Sequence, residues 1–273
     1  MNNKIPSLIF VFLSIGIGLF AQEDGEEFPT FNEEMAIGID GDSIAVYALI
    51  ASGSNVKETV ILLHGIPGNE RNLDLAQDLR REGENVIFFS YRGAWGSQGT
   101  YSYSNCLVDI DYILDYFSDP ALALKMRIDT TRFTLIGHSL GGGLALIKGA
   151  KDSRVKKIIA LSAANFGYIW RDITSVDSLQ GFQNYIRSSF VLNCNPKEFV
   201  QEILDNKTEY DVLTFAQELE TKKVLIIDDY DRSNKWPGQL LKPIEYVIIE
   251  SDHSFTNRRK ELSVYINAWL KKN

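Results

Sequence analysis

Apolar and polar residues follow two periods along this chain, and these periods predict strands and helices in regular succession. Apolar residues spaced three or four apart predict helices near residues 75–79, 106–117 and 262–270, and a further helix after residue 139. Continuous apolar runs, typical of strands buried on both faces, lie at residues 59–63, 85–89, 133–136, 155–161, 223–227 and 246–250. This alternation predicts an α/β fold with a largely parallel sheet covered on both faces.

Two other segments depart from that succession. Residues 35–40 and 43–50 alternate around Asp40-Gly41, which predicts a hairpin with a tight turn. Residues 163–221 contain many aromatic side chains but no strand pattern, and this long interval predicts an inserted helical cap. The cap is either a lid that lines a substrate pocket or a set of helices with an ordinary core.

The sequence Gly137-His138-Ser139-Leu140-Gly141 joins a predicted strand to a predicted helix. In a G-x-S-x-G turn the serine Oγ is lifted above the sheet, and the glycines let strand and helix approach closely. The Leu140 N–H then lies at a helix N-terminus, where negative charge is favoured, and it is an expected oxyanion donor. Ser139 is therefore a candidate nucleophile. The alternative is a plain turn whose serine caps the helix.

A candidate base and a candidate acid follow later strands. His253 comes after the strand at 246–250, and loops at the carboxyl ends of parallel strands meet at one edge of the sheet. The strand at 223–227 leads into Asp228, Asp229 and Asp231, and the order Ser, Asp, His is that of elbow-type hydrolases. Asp231 lies furthest into the loop, so we expect it to orient His253, with Asp229 as the alternative.

A glycine-containing loop follows the strand at 59–63. We expect the Ile66 backbone N–H to be the second oxyanion donor, because Pro67 has no N–H to donate. His64 opens this loop, and we expect it to hold the loop rather than to react. Arg92 and Trp95 follow the strand at 85–89, where they either border the pocket or hold loops together.

The N-terminal segment, the net charge and the two cysteines restrict where the protein is expected to act and what it is expected to bind. Lys4, an apolar run at residues 5–20 and Ala21 fit a signal peptide over residues 1–21, with an uncleaved anchor as the alternative. Residues 22–273 then form one exported domain without stable membrane insertion. The net charge of −8 and the lack of a basic stripe argue against a nucleic-acid partner.

Cys106 lies on an apolar helical stripe and is expected to be a buried thiol, with a disulfide to Cys194 as the less favoured alternative.

These motifs resemble the α/β-hydrolase superfamily over most of residues 22–273. The resemblance implies an eight-stranded, mostly parallel sheet whose second strand is antiparallel. It also implies Ser139 as the nucleophile, His253 as the base, an aspartate as the orienting acid, and Ile66 and Leu140 as oxyanion donors. Residues 68–72 and 91–97 are similar to a bacterial branch related to serine aminopeptidases and prolyl-oligopeptidase-like hydrolases.

The predicted function is that of a secreted or periplasmic serine hydrolase. It needs no metal or cofactor, and it cleaves an ester or amide bond of a small-molecule or peptide substrate through an acyl-enzyme. Two other functions use the same fold. One is an acyltransferase in which an alcohol or amine replaces water, and the other is a non-catalytic binding protein.

Overall fold

The computed structural model describes residues 28–173, 175–233, 235–240 and 244–273. The proposed signal peptide at residues 1–21 lies outside the described residues. Eight strands form one sheet in the order β1-β2-β4-β3-β5-β6-β7-β8. The strands are β1 (Phe31–Ile39), β2 (Asp42–Ile50), β3 (Lys57–Leu63), β4 (Asn85–Phe89), β5 (Ile128–His138), β6 (Val155–Leu161), β7 (Lys223–Asp228) and β8 (Ile244–Ile248).

Only β2 runs against the other strands. It pairs antiparallel with both β1 and β4, whereas every pair from β4 to β8 is parallel. The predicted hairpin joins β1 to β2, and Asp40 and Gly41 both have positive φ, at 50° and 90°. Two consecutive residues with positive φ match the twist of a hairpin, which explains the Asp-Gly pair. The predicted eight-stranded, mostly parallel sheet is confirmed.

Nine α-helices are described. They are α1 (Leu73–Arg81), α2 (Tyr103–Phe117), α3 (Pro120–Met126), α4 (Leu140–Lys151), α5 (Phe166–Ile169), α6 (Val176–Arg187), α7 (Pro196–Asp205), α8 (Ala216–Leu219) and α9 (Arg259–Lys272). None of these helices is both long and apolar enough to cross a membrane.

The helices cover both faces of the sheet, and the strands show why. Along β3, Val60 and Leu62 pack in one apolar cluster with α1 and α9, while Ile61 and Leu63 pack in the other with α2 and α4. Side chains alternate between the faces of a strand, so a continuous apolar run supplies both clusters. Cys106 of α2 is buried in the second cluster as predicted, and both it and Cys194 are free thiols.

The interval between β6 and β7 contains α5 to α8. Its aromatic residues divide into two groups. Phe166 and Trp170 are buried, with their ring centroids 5.9 Å apart, and Phe182 packs against both. Tyr185 and Phe190 are exposed instead. One group therefore forms an ordinary helical core, and the other remains available at the surface.

Candidate active site

Ser139 is the single residue between β5 and α4, and its backbone angles are φ 56° and ψ −119°. The Ser139 N–H donates to the Leu161 carbonyl at 2.9 Å, and the Ser139 carbonyl accepts from the Ala164 N–H at 2.9 Å. A Cβ on Gly137 would overlap the Gly141 carbonyl, and a Cβ on Gly141 would overlap the Leu63 carbonyl. These contacts hold the serine in the left-handed region, which is the geometry expected of a nucleophile elbow.

Two backbone N–H groups are available beside Ser139. Leu140 is the first residue of α4, and Ile66 lies on the loop whose Gly65 abuts the serine: a Cβ on Gly65 would come within 2.9 Å of Ser139 Cβ. Neither the Ile66 nor the Leu140 N–H donates a hydrogen bond to another group in the described part of the chain. The two predicted donors are thus free to face a developing negative charge.

His64 has the structural position expected of it. Its Nδ1 donates to the Gly65 carbonyl at 2.7 Å, and its Nε2 accepts from the Tyr91 N–H at 3.4 Å. Burial of the ring lowers its pKa to about 4, so the imidazole is neutral at physiological pH. His64 therefore fixes the turn that presents Ile66.

His253 reaches the same cavity from the loop after β8. Its Nδ1 lies 3.8 Å from Asp229 Oδ2, which is an ion-pair distance and longer than a hydrogen bond. Such contacts commonly tighten when substrate binds. Partial burial lowers the pKa of His253, and Arg232 lowers it further, while the Asp229 carboxylate opposes both. His253 is therefore neutral at neutral pH and able to accept a proton.

The structure does not bring Asp231 to His253, so we correct the preferred acid from Asp231 to Asp229. Asp231 is exposed, and its carboxylate accepts the Ser233 N–H at 2.8 Å in a local turn. Asp229 is buried instead, and the Ser251 N–H donates to its backbone carbonyl at 3.3 Å. That contact places Asp229 beside the loop of His253, whereas Asp231 has already turned away.

An arginine joins Asp229 to its neighbour in sequence. Arg232 donates to Asp229 Oδ1 at 2.7 Å and to Asp228 Oδ1 at 3.0 Å, and Tyr246 donates to Asp228 Oδ2 at 3.0 Å. Burial raises the pKa of Asp228 to about 6 despite these contacts. Ser162 also donates to Asp229 Oδ1, at 3.0 Å. Asp229 Oδ1 is therefore fully occupied, which leaves Oδ2 to face His253.

Three contacts with the site are not predicted by the sequence analysis. His138, the residue before the nucleophile, donates from Nε2 to the His253 carbonyl at 2.7 Å. Tyr185 of the cap donates to the Ile66 carbonyl at 2.8 Å, and Arg232 pairs with the acid. The position of His138 inside the elbow was a usable signal. No local pattern links Tyr185 to a loop more than a hundred residues earlier.

Arg92 and Trp95 hold loops together. Arg92 is buried and pairs with Asp109 at 2.6 Å. Trp95 donates from Nε1 to the Pro67 carbonyl at 2.7 Å, and it lines a separate cavity of about 540 Å³ beside Arg71. Neither residue lines the cavity that contains Ser139 and His253.

That cavity has a volume of about 590 Å³. It is lined by Ser139, Ser162, Ala163, Ala164, Tyr168, Ile169, Arg171, Asp172, Tyr230, Arg232, Lys235, Trp236 and His253. A smaller chamber of about 110 Å³ connects Ser139 and His253 with Ile66 and Tyr185. Within the described ranges, no group of three or more histidine, cysteine or carboxylate side chains is arranged to hold a metal ion.

The chain is similar to known hydrolases in sequence and in fold. The sequence profile of the alpha/beta hydrolase fold family matches residues 58–198. Two cutinases of Thermobifida alba, est2 and est1, are 32% and 35% identical to the chain over 87 and 65 residues. These matches cover 32% and 24% of this chain but only 28% and 21% of the cutinases, so the chain spans under a third of these curated relatives.

Two solved esterases have similar folds. Est1E from Butyrivibrio proteoclasticus has a TM-score of 0.62 at 16% identity, over 88% of this chain and 98% of its own. The Pyrococcus furiosus esterase Pf2001 has a TM-score of 0.61 at 16% identity, over 91% of this chain and 93% of its own. At such identities the likeness concerns the fold.

Proposed function

Because the chain belongs to the alpha/beta hydrolase fold family, we propose that it is a serine hydrolase that cleaves esters through an acyl-enzyme on Ser139. One observation carries the proposal. The strained serine and a neutral histidine border the same cavity, a buried carboxylate lies beside the histidine, and the Ile66 and Leu140 N–H groups lie next to the serine. A binding protein has no need for this combination.

The reaction follows from these positions. Ser139 Oγ attacks the ester carbonyl while His253 Nε2 accepts the serine proton, and the carbonyl oxygen becomes an oxyanion facing the Ile66 and Leu140 N–H groups. His253 then returns the proton to the leaving alcohol as the ester C–O bond breaks. Water attacks the acyl-enzyme by the same steps in reverse, releasing the acid and restoring Ser139. Asp229 keeps Nδ1 protonated and stabilises the imidazolium.

Ester substrates are favoured because the named relatives are cutinases and the named structural neighbours are esterases. Cleavage of an amide, as in the aminopeptidase and prolyl-oligopeptidase branch, is a second candidate supported by residues 68–72 and 91–97 alone. Initial rates on 4-nitrophenyl butyrate and on an alanine 4-nitroanilide separate the two. Addition of a competing alcohol, with product analysis, tests for acyl transfer.

The first test is labelling with a fluorophosphonate followed by peptide mass mapping. We expect one adduct, on Ser139, and none in Ser139→Ala or His253→Ala. A folded protein that takes no adduct and hydrolyses no ester would overturn the proposal in favour of a non-catalytic role.

A matched pair of variants tests the choice of acid. Asp229→Asn should lower kcat by about 10⁴-fold, as expected when the orienting carboxylate is lost. Asp231→Asn removes a carboxylate from the same loop and should change kcat by no more than about 2-fold, since exposed substitutions are usually near-neutral. The reverse ranking would restore Asp231 as the acid.

We also propose that the protein acts outside the cytoplasm, on the basis of the signal-peptide pattern at residues 1–21. Expression of the full chain in a bacterium, followed by fractionation and N-terminal sequencing, should give a mature form that begins near residue 22. A full-length cytoplasmic product would contradict it.

A further inference from the structure

The cavity beside Ser139 carries more positive than negative side chains. Arg171, Arg232 and Lys235 line it, together with a single carboxylate from Asp172 outside the triad acid. The chain as a whole has a net charge of −8. The cluster of cations in the cavity beside the candidate nucleophile is therefore opposite in sign to the net charge of the chain, and it bears on the choice of substrate.

The two arginines are fixed by carboxylates behind the cavity wall. Arg171 pairs with Asp211 at 2.6 Å, and Arg232 pairs with Asp229 at 2.7 Å and with Asp228. Their charges are thus largely balanced, although the guanidinium groups still border the cavity. They serve as a rigid polar wall.

Lys235 differs from the arginines. In the parts of the chain that the structure describes, no carboxylate lies within ion-pair distance of its ammonium group. The centroid of the Tyr230 ring lies 5.9 Å from its Nζ. A lysine is a compact charge on a flexible stem, so it can turn toward an anion that enters the cavity.

Aromatic residues share this wall with the cations. Tyr168, Tyr230 and Trp236 line the cavity, and the tyrosine rings already stack with Arg171 at 3.9 Å and Arg232 at 4.1 Å. Trp236 is only 2% exposed, whereas Tyr230 is 50% exposed, so Tyr230 is the more accessible aromatic surface, and a planar ring can pack against it in offset or edge-on geometry. The wall is therefore suited to a ligand that is both aromatic and anionic.

We propose that the substrates are aromatic esters that carry a carboxylate, with the ring against Tyr230 and the carboxylate on Lys235. This inference rests on the proposed hydrolase function and specifies its substrate class. Asp172 carries a negative charge on the cap side of the cavity. It repels the carboxylate of the substrate and so limits the preference for anionic esters. The alternative occupant, an aromatic cation held by Asp172, is an outcome of the test.

The test compares three acetate esters that differ only in the para substituent of the phenol. They are 4-acetoxybenzoate, its methyl ester, and (4-acetoxyphenyl)trimethylammonium. The measured quantity is the ratio of kcat/KM for the anionic ester to that for the neutral methyl ester, since it cancels any general loss of activity. We expect Lys235→Gln to lower this ratio by about 5-fold, as for loss of one partly exposed ion pair.

Further variants give the direction of the effect. Lys235→Arg should keep the ratio, Lys235→Glu should lower it more than Lys235→Gln, and Asp172→Asn should raise it. Lys156→Gln is the matched control: it removes one positive charge at the amino end of β6, away from the cavity, and should leave the ratio unchanged.

The outcomes separate the two proposals. If the protein hydrolyses none of the three esters and takes no fluorophosphonate, the hydrolase function fails. If it hydrolyses the neutral ester but the ratio is the same in Lys235→Gln and wild type, only the substrate class is overturned. Preferential cleavage of the trimethylammonium ester, abolished by Asp172→Asn, would also overturn it and assign the cavity to cations.

Discussion

Ser139 is held in a backbone conformation that serine seldom adopts, and its neighbours keep it there. A non-glycine residue in the left-handed region typically costs on the order of 1–3 kcal/mol, and the surrounding contacts must offset that cost. At Ser139 these contacts come from Leu161 and Ala164 on the next strand and loop. The conformation of this candidate nucleophile therefore depends on close backbone packing around it.

Gly141→Ala should expose this dependence. The new Cβ would meet the Leu63 carbonyl, a backbone atom that no rotamer change can move, so we expect a loss of about 3 kcal/mol in unfolding free energy, as in overpacked cores. Urea unfolding gives the value. Gly181→Ala is the control, because it lies within α6 with nothing nearby and should gain about 0.5–1 kcal/mol. Equal effects at both glycines would contradict the packing explanation.

Arg232 should control the acid limb of the pH profile. His253 must be neutral to accept the serine proton, so kcat/KM rises with pH through the pKa of His253, which lies below 6.5. Arg232→Gln removes a positive charge that lowers this pKa and frees Asp229 to raise it, so the limb should move to higher pH. Arg232→Lys keeps the charge and should move it less. A limb that stays fixed in Arg232→Gln would show that Arg232 acts only on the structure.

At the scale of elements, the cap and the oxyanion loop are joined by one hydrogen bond. The Tyr185 hydroxyl on α6 donates to the Ile66 carbonyl, and the Ile66 N–H is the candidate donor to the oxyanion. A peptide unit held at its neighbouring carbonyl keeps its orientation better than a free loop does. The cap thus supports the catalytic loop as well as lining the pocket.

Tyr185→Phe should therefore lower kcat more than it raises KM. The expected fall is about 3- to 10-fold, since one hydrogen bond is worth about 0.5–1.5 kcal/mol. Tyr210→Phe removes another cap hydroxyl, which donates to Glu202 and not to the loop, and should leave kcat unchanged. If both variants behave alike, the hydroxyl of Tyr185 supports only the cap.

The elements are predicted most accurately where buried positions recur at a regular spacing along the chain. The strands β3, β4, β6 and β7 and the elbow follow directly from apolar runs and glycine spacing. The predicted strand at 246–250 is observed two residues earlier, as Ile244–Ile248, and the Ile249 N–H still donates to the carbonyl of Asp228 at the end of β7. The preference for Asp231 over Asp229 is not supported by the structure, because contacts between neighbouring loops, which no local pattern records, place Asp229 beside His253.

For the whole molecule, the predicted superfamily is confirmed, whereas the closer resemblance to the aminopeptidase branch is not. The three-residue pattern of a triad and the alternation of strands and helices are properties of the entire superfamily, so they identify the fold. The proposed substrate preference depends on side chains such as Lys235, on the loop after β7, and Asp172, in the cap between β6 and β7. Their meeting in one cavity is visible only in three dimensions.

The stability of the whole fold should depend on pH through the ionisation of Asp228. Its pKa is about 6 in the folded protein against an ordinary value of 3.8, so the fold is more stable when Asp228 is protonated. This stabilisation is present below pH 4 and is lost as the pH rises through 6. One pKa unit corresponds to about 1.4 kcal/mol, so ionisation destabilises the fold by about 3 kcal/mol. Asp228→Asn stays neutral, so its stability relative to wild type should rise by that amount from pH 4 to 7.

Urea unfolding of both proteins at matched pH values gives this difference. Effects of other titrating groups, including the buried His64 and His138, cancel in it. A difference that does not vary with pH would mean that Asp228 is ionised throughout, held so by Arg232.

The places of Ser139, Asp229 and His253 in the chain have a consequence for its synthesis. The proposed nucleophile is made 114 residues before the proposed base, which at a typical rate of about 10 residues per second is a delay of roughly 10 s. During that time a nascent chain has an elbow serine but neither acid nor base, since both follow β7 and β8. Under the proposed function, a nascent chain that ends before residue 229 lacks both the acid and the base and should be inert, and hydrolysis should begin only after His253 has been added.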